Sequence, residues 1–415
     1  MISFWRIFWL EFTSLVRSRA LAILTAASVG WMLVMPFIIR TDGTAEGARE
    51  LYVRYALGGV LLLLTVALVS SATASIARER AEKRLQLTLV RPVSGFSVAL
   101  GKISALTAAG GAVLALSMTI LGIETDASGR CSHVLSPILV SPRVEAEAEY
   151  RRFMEDPETP DALRKAKKSA VMQILEQRAA DRYESVATNS VASWRFPVAD
   201  AASSCDVAVR MRFTAAYDRR LDVSGMFRLG ERSAPVSDIT RSVAVVPLKG
   251  GAVSDVLEFR NNGTASLLLR PRQDIKLLVA ADEMWWNLLR AWLVAVSALA
   301  LFVSIGVLLG SALGRPVALF VAVVALIVGE MSPAVVERYP DPLGAGGLDR
   351  IGLVIAELVN VTVRPASSLM PVEALVHAEC IEWSDVARSV LMNLAVAPVA
   401  ASLIALFILS RKKND

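Results

Sequence analysis

Apolar residues gather at the two ends of this chain and leave a polar middle. Runs of about 20 apolar residues, the length a helix needs to cross a hydrocarbon core, stand at 21–39, 55–77, 103–122, 285–313, 316–336 and 388–410. The fifth run is interrupted near its end by Glu330 and Pro333. Ahead of the first, Trp5, Phe8, Trp9, Phe12 and Val16 recur at the spacing of one helical stripe. Tryptophans on that stripe, with Glu11, Arg17 and Arg19 nearby, predict a helix over 1–20 that lies in the membrane interface. A second stripe, Leu348, Ile351, Ile355, Leu358, Val359 and Thr362, predicts an amphipathic helix over 348–362 at the opposite surface.

The polar middle, 123–284, has two textures. Residues 142–187 are rich in helix formers, broken by Pro157 and Pro160. Residues 191–280 hold short alternating runs such as DVAVRMRFTA, SVAVVPL and DVLEFRNNG. Turn signals separate them, Lys249-Gly250-Gly251 and Asn261-Asn262-Gly263 among others. That pattern predicts a small β-sandwich. The expected fold is therefore an α-helical polytopic membrane protein with six transmembrane helices and an N-terminal interfacial helix. An α+β domain, a helical segment plus a β-sandwich, is inserted between spans three and four. The segments are 1–20, 21–122, 123–284 and 285–415.

Composition agrees with the pattern: 54% of the residues are hydrophobic and the mean hydropathy is +0.50, above the range of soluble chains. The net charge of +5 is spread over the ends of the apolar runs, so no tract suits nucleic acid and no such partner is expected. The basic residues instead orient the chain. Arg78, Arg80, Lys83, Arg84, Arg91 and Lys102 follow span two, Arg315 follows span four, and Arg411-Lys412-Lys413 follow span six. With six spans all of these lie on one side, which the positive-inside rule makes cytoplasmic. Both termini are then cytoplasmic, and 123–284 and 337–387 are extracytoplasmic. No secretory signal peptide is visible ahead of the first span.

Candidate chemistry is sparse. The two histidines, His133 and His377, have no H-E-x-x-H or triad context, so neither a catalytic residue nor a metal site is expected. The stretch from Gly95 to Lys102 superficially resembles a phosphate-binding loop. It has five residues between its glycines instead of four, and Ile103 follows the lysine where Ser or Thr would bind magnesium. No cofactor is expected in this chain. Of the cysteines Cys131, Cys205 and Cys380, none forms a C-x-x-C pair. Cys131 and Cys205 share the polar middle; a disulfide between them in an oxidising compartment and two free thiols both remain open. Trp285, Trp286 and Trp292 read as an aromatic belt. Gly306, Gly310 and Gly314 make two overlapping G-x-x-x-G steps, suited to close helix packing either within one chain or between two. Glu330 is either water-facing or part of a transport path.

The most distinctive stretch is ARERAEKRLQLTLVRPVSGFSVALGK, residues 77–102, a charged leucine-rich loop between two spans. Arg78, Glu79, Arg80, Leu85, Leu87, Pro92, Val93, Ser94, Gly101 and Lys102 carry a pattern that resembles the permease subunits of ABC type-2 exporters. The elbow-like first helix is similar to that family too, as are Glu379, Ile381, Trp383 and Asp385 and the basic tail. Gln86 stands where the family commonly has glutamate, and Ala81 where it can have glycine. The resemblance implies a subunit of the bacterial inner (plasma) membrane that pairs with a second permease copy or homologue. It implies a separate cytoplasmic ABC ATPase that carries ATP and Mg, and a chain that is not itself an enzyme. Coupling to that ATPase would fall on Arg78, Glu79, Arg80, Arg84, Leu85, Leu87 and Pro92. The alternative is a non-transporting scaffold or mechanotransmission module that passes ATPase motion to an envelope partner.

Overall fold

A computed structural model describes residues 2–39, 45–81, 94–125, 129–155, 168–180, 182–198, 206–215, 221–240, 243–314, 316–324 and 371–411. They form two compact units, one from Met1–Arg130 with Glu283–Asp415, the other from Cys131–Asp282.

The first unit opens with α1 (Ile2–Arg17). Ser18 breaks it with extended backbone and caps α2 (Arg19–Ile38), its Oγ accepting from Leu21 N at 3.3 Å. α3 (Ala45–Tyr52) runs through a π-helical turn, Val53–Leu57, into α4 (Gly58–Ala81). α5 (Gly95–Glu124) starts at the Ser94 cap. Residues 78–81 and 95–102, expected as loop, are thus helical extensions of the two spans. The helix-forming residues that bracket the loop (Arg78 to Ala81, Phe96 to Leu100) carry no breaker, so the spans run on past their apolar parts. Arg84, Leu85, Leu87 and Pro92 lie outside the described residues, as do Glu330, Cys205 and the stripe at 348–362.

The second unit carries α6 (Pro142–Glu155) and α7 (Lys168–Ala180), which pack on each other. Its strands are β1 (Arg130–Leu135), β2 (Glu184–Val186), β3 (Val191–Arg195), β4 (Val207–Arg212), β5 (Thr214–Ala215) and β6 (Asp222–Leu229). β7 (Arg232–Ile239), β8 (Val243–Leu248), β9 (Val256–Asn261), β10 (Leu267–Leu269) and β11 (Ile275–Glu283) follow. Two four-stranded sheets, β1-β11-β4-β8 and β3-β9-β6-β7, accompany a three-stranded one, β2-β10-β5. The end of the stretch expected to be helical, 184–186, is strand instead; β2 gains three ladder partners on β10, which local propensity does not register.

Strict alternation places one face of each strand inside. Val223, Phe227 and Leu229 of β6 are buried while Ser224, Met226 and Arg228 are exposed. The register of β11 on β4 sets Ile275 opposite Met211 and Leu277 opposite Val209, all buried. Side chains from both large sheets enter one apolar core. There the Phe259 ring lies 4.9 Å from Phe227 and 5.8 Å from Phe213, within aromatic-pair range. At the Asn261-Asn262-Gly263 turn, the fully buried Asn261 amide donates to Val186 O and Ala265 O at 3.2 and 2.9 Å. Its Oδ1 accepts from Gly263 N at 3.0 Å. Gly250 and Gly251 both have positive φ, 72° and 75°, which a β-carbon disfavours.

The chain returns through α8 (Met284–Ala312) and a helix over 316–324. It closes with α9 (Val372–Val376), α10 (Trp383–Ser389), a second π-helical stretch, Val390–Val396, and α11 (Ala397–Arg411). Among the described residues five helices are long and apolar enough to cross a membrane: Arg19–Ile38, Gly47–Glu79, Gly95–Glu124, Met284–Ala312 and Trp383–Ile408. They match five of the six expected runs; the remainder of the run at 316–336 lies outside the described residues. Trp5, Trp9 and Val16 of α1 are exposed, as the stripe requires.

α8 packs most extensively on α4. A β-carbon on Gly306 would stand 3.0 Å from Ala72 Cβ, and one on Gly310 only 2.6 Å from Thr73 O. These two glycines therefore serve packing within one chain. Gly314 has nothing within 4 Å. The pairing of 306 with 69–72 and 310 with 73 makes α4 and α8 parallel. On α5, Gly111 meets Val296 and Gly122 meets Trp285, so α5 runs antiparallel to α8.

Two outcomes follow. Asn261→Ala leaves several buried backbone groups without partners and is expected to cost the β-rich unit about 2 kcal/mol, read as a shift in denaturant midpoint. Gly310→Ala forces the α4 backbone to move and lowers the detergent-solubilised protein's thermal midpoint, whereas Gly314→Ala leaves it within error.

Candidate functional site

The strongest concentration of buried charge lies where α1, α4 and α5 meet. Lys102 sits two turns into α5, and its side chain is 3% exposed. A lysine there is costly unless its ammonium is paired and hydrogen-bonded. Each of its three N–H donors has an acceptor: Ser75 Oγ at 2.7 Å, Glu79 Oε1 at 2.8 Å and Glu11 Oε1 at 3.3 Å. Ser75 and Glu79 are four residues apart and so share a face of α4. Ser75 Oγ in turn donates to Glu11 Oε1 at 3.2 Å, which closes the network. Beside it, Gly101 brings α5 against α1, where a β-carbon would lie 2.8 Å from Ile7 Cγ2.

The site gathers two of the motif residues, Glu79 and Lys102, with Glu11 from α1. Sequence reasoning treated Glu11 as a sign that α1 stays at the surface. α1 does carry its tryptophans outward, but Glu11 turns inward and is the anchor of that helix. Arg78 is exposed at the end of α4. The side chain of Arg80, like residues 82–93, lies outside the described residues. The signal that would have found the network is simple: Lys102 is the one cation inside an otherwise apolar 30-residue helix.

A second polar cluster holds the opposite end of α8. Asn287, fully buried, donates from Nδ2 to Glu379 O at 2.8 Å and accepts from Ile381 N at 2.8 Å. This side chain grips the extended backbone as a neighbouring strand would. Arg290 Nη1 donates to Ile381 O at 3.3 Å, and its guanidinium lies 4.9 Å from the Trp383 ring centroid, a cation–π contact. Glu379, Ile381 and Trp383 of the resemblance are thus assembled by Asn287 and Arg290, which sequence reasoning did not single out. Nearby, Arg54 pairs with Glu373 at 3.0 Å, and His377 lies 3.5 Å from Glu50 and 3.7 Å from Glu373. His377 thus lies beside two carboxylates, Glu50 and Glu373. Trp292 Nε1 donates to Gly111 O at 2.9 Å.

Cys131 and Cys380 each take part in a disulfide, and Cys205 lies outside the described residues.

Among the described residues no group of three or more His, Cys, Asp or Glu is placed to hold a metal ion. Comparison with family models, characterised proteins and solved structures returned no match.

Lys102→Met strands two neighbouring carboxylates. Glu79 is 34% exposed and Glu11 20%, which moves the expected loss to the lower end of the buried-pair range, about 3 kcal/mol. Lys102→Arg keeps the charge and loses less. Glu79→Gln keeps an acceptor and is milder still. Thermal unfolding in detergent ranks the three.

Proposed function

We propose that this chain is the membrane-spanning permease subunit of an ATP-binding cassette exporter. It moves a substrate out of the cytoplasm or inner leaflet with ATP hydrolysed on a separate ATPase subunit. One observation carries the reading: a single buried ammonium clips the interfacial helix to both spans that bracket the loop 82–93. A force delivered to such a loop passes into three helices at once instead of dissipating. The residues forming the clip, Glu79 and Lys102, belong to the motif on which the resemblance rests.

The topology proposed is six spans, the run at 316–336 being the fifth, with both termini cytoplasmic and 123–284 extracytoplasmic in a bacterial inner membrane. Helix directions support it. Parallel α4 and α8 send the basic residues after each to the same side, and α1 meets α4 and α5 at that end. That Cys380 is disulfide-bonded supports it as well, since Cys380 neighbours the Asn287 grip at the opposite end of α8 and disulfides persist in oxidising compartments.

A second reading, a non-transporting mechanotransmission module acting on an envelope partner, draws on a different observation. In α5 and α8 the buried charges cluster at the helix ends, Lys102 and Arg290, and the stretches between hold only small polar residues such as Thr107, Ser297 and Ser304. No charged path runs through the described helices of one chain. In the exporter reading that path lies between two permease copies.

Copurification in mild detergent tests both. Wild type is expected to retain a cytoplasmic ATPase, and Arg84→Glu with Leu87→Asp to lose it while keeping its melting profile. If wild type retains none, both readings fall.

A further inference from the structure

The β-rich unit contains a cleft that neither reading of the membrane helices uses. One face of α6, made by Glu145, Ala148, Glu149, Arg152 and Phe153, looks onto the end of α7 across a cavity of about 630 Å³. A second lobe of about 470 Å³ continues toward Tyr183, Glu184 and Arg272. Glu145, Ala179 and Arg182 line both lobes, so they are one continuous cleft. Each lobe falls within the roughly 300–1,000 Å³ of small-molecule sites.

The charges on its walls are unevenly committed. Glu145 is 3.5 Å from Arg272, and Glu184 accepts from Trp194 Nε1 at 2.9 Å. Arg152, Arg178 and Arg182 form no ion pair or hydrogen bond among the described residues. One uncommitted carboxylate, Glu149, faces three uncommitted guanidinium groups. Arg272 adds a buried Nη1 that meets no acceptor. Around Tyr183 the wall is stiff: the Arg270 guanidinium stacks 5.6 Å from its ring centroid and is held in turn by Asp274.

We propose that this cleft binds a polyanion, a ligand carrying two or more phosphate or carboxylate groups. Arginine forks are matched to the paired oxygens of such groups and bind them bidentately. Arg182, shared by both lobes, is the central contact. Arg152 and Arg178 hold one end, and Arg272 Nη1 donates at the other. The inference stands apart from the exporter reading.

The test is calorimetric titration of the full-length chain in neutral detergent with inorganic tripolyphosphate, at low and at physiological salt. Saturable binding is expected, weakened by salt, weakened about tenfold by Arg182→Gln and less by Arg152→Gln or Arg178→Gln. Arg228→Gln, an exposed arginine of β6 outside the cleft, leaves it unchanged. A second arm repeats the titration in discs of phosphatidylcholine with and without phosphatidylglycerol. If a lipid headgroup is the natural anion, phosphatidylglycerol competes in wild type and not in Arg182→Gln; if the anion is free in solution, the lipids do not compete. Absence of saturable binding, or cleft variants that bind like wild type, overturns the proposal.

Discussion

Everything at the loop-bearing end of the helical unit depends on one ammonium group in a place where charge is expensive. Lys102 has no water to fall back on, so its stability rests on Glu11, Glu79 and Ser75 keeping their positions. Those partners come from α1 and α4, separated widely in sequence. The network therefore acts as a positional constraint: any rearrangement that separates α1, α4 and α5 must first break a buried ion pair. Such pairs add little net stability over an apolar replacement, but they specify one arrangement among several that greasy helices tolerate equally well.

The two ends of the helical unit are held by different chemistry. One uses charge. The other uses an amide that mimics backbone, Asn287 gripping 379–381, with Arg290 laid over Trp383. Between them the helices are apolar and joined by glycine contacts, which suits a lipid setting where helix association relies on close packing and sparse polar contacts. The β-rich unit follows the opposite logic, with strict alternation, an aromatic core and a polar lock at Asn261.

Much of this was legible in the sequence because apolar periodicity reports burial directly. Five apolar runs became long helices, and the turn glycines at 250 and 251 sit where positive φ is needed. The stripe of α1 did predict a helix, but it did not announce that Glu11 pairs with Lys102. Its partner is ninety-one residues away, and no local pattern announces a long-range ion pair. The same blindness explains the strand at 184–186, whose partner β10 lies far downstream. What sequence does offer in such cases is the anomaly itself: Lys102, Asn287 and Arg290 are polar residues in apolar helices, and each proved to be an anchor.

Gly306 and Gly310 have a consequence beyond their own packing. At Gly306 and Gly310 α8 approaches the α4 backbone closely, and only the small Ala72 side chain stands beside Gly306. The seam formed by Gly306 and Gly310 thus joins the α4 helix that carries Glu79 to the α8 helix whose other end holds the 379–381 segment through Asn287.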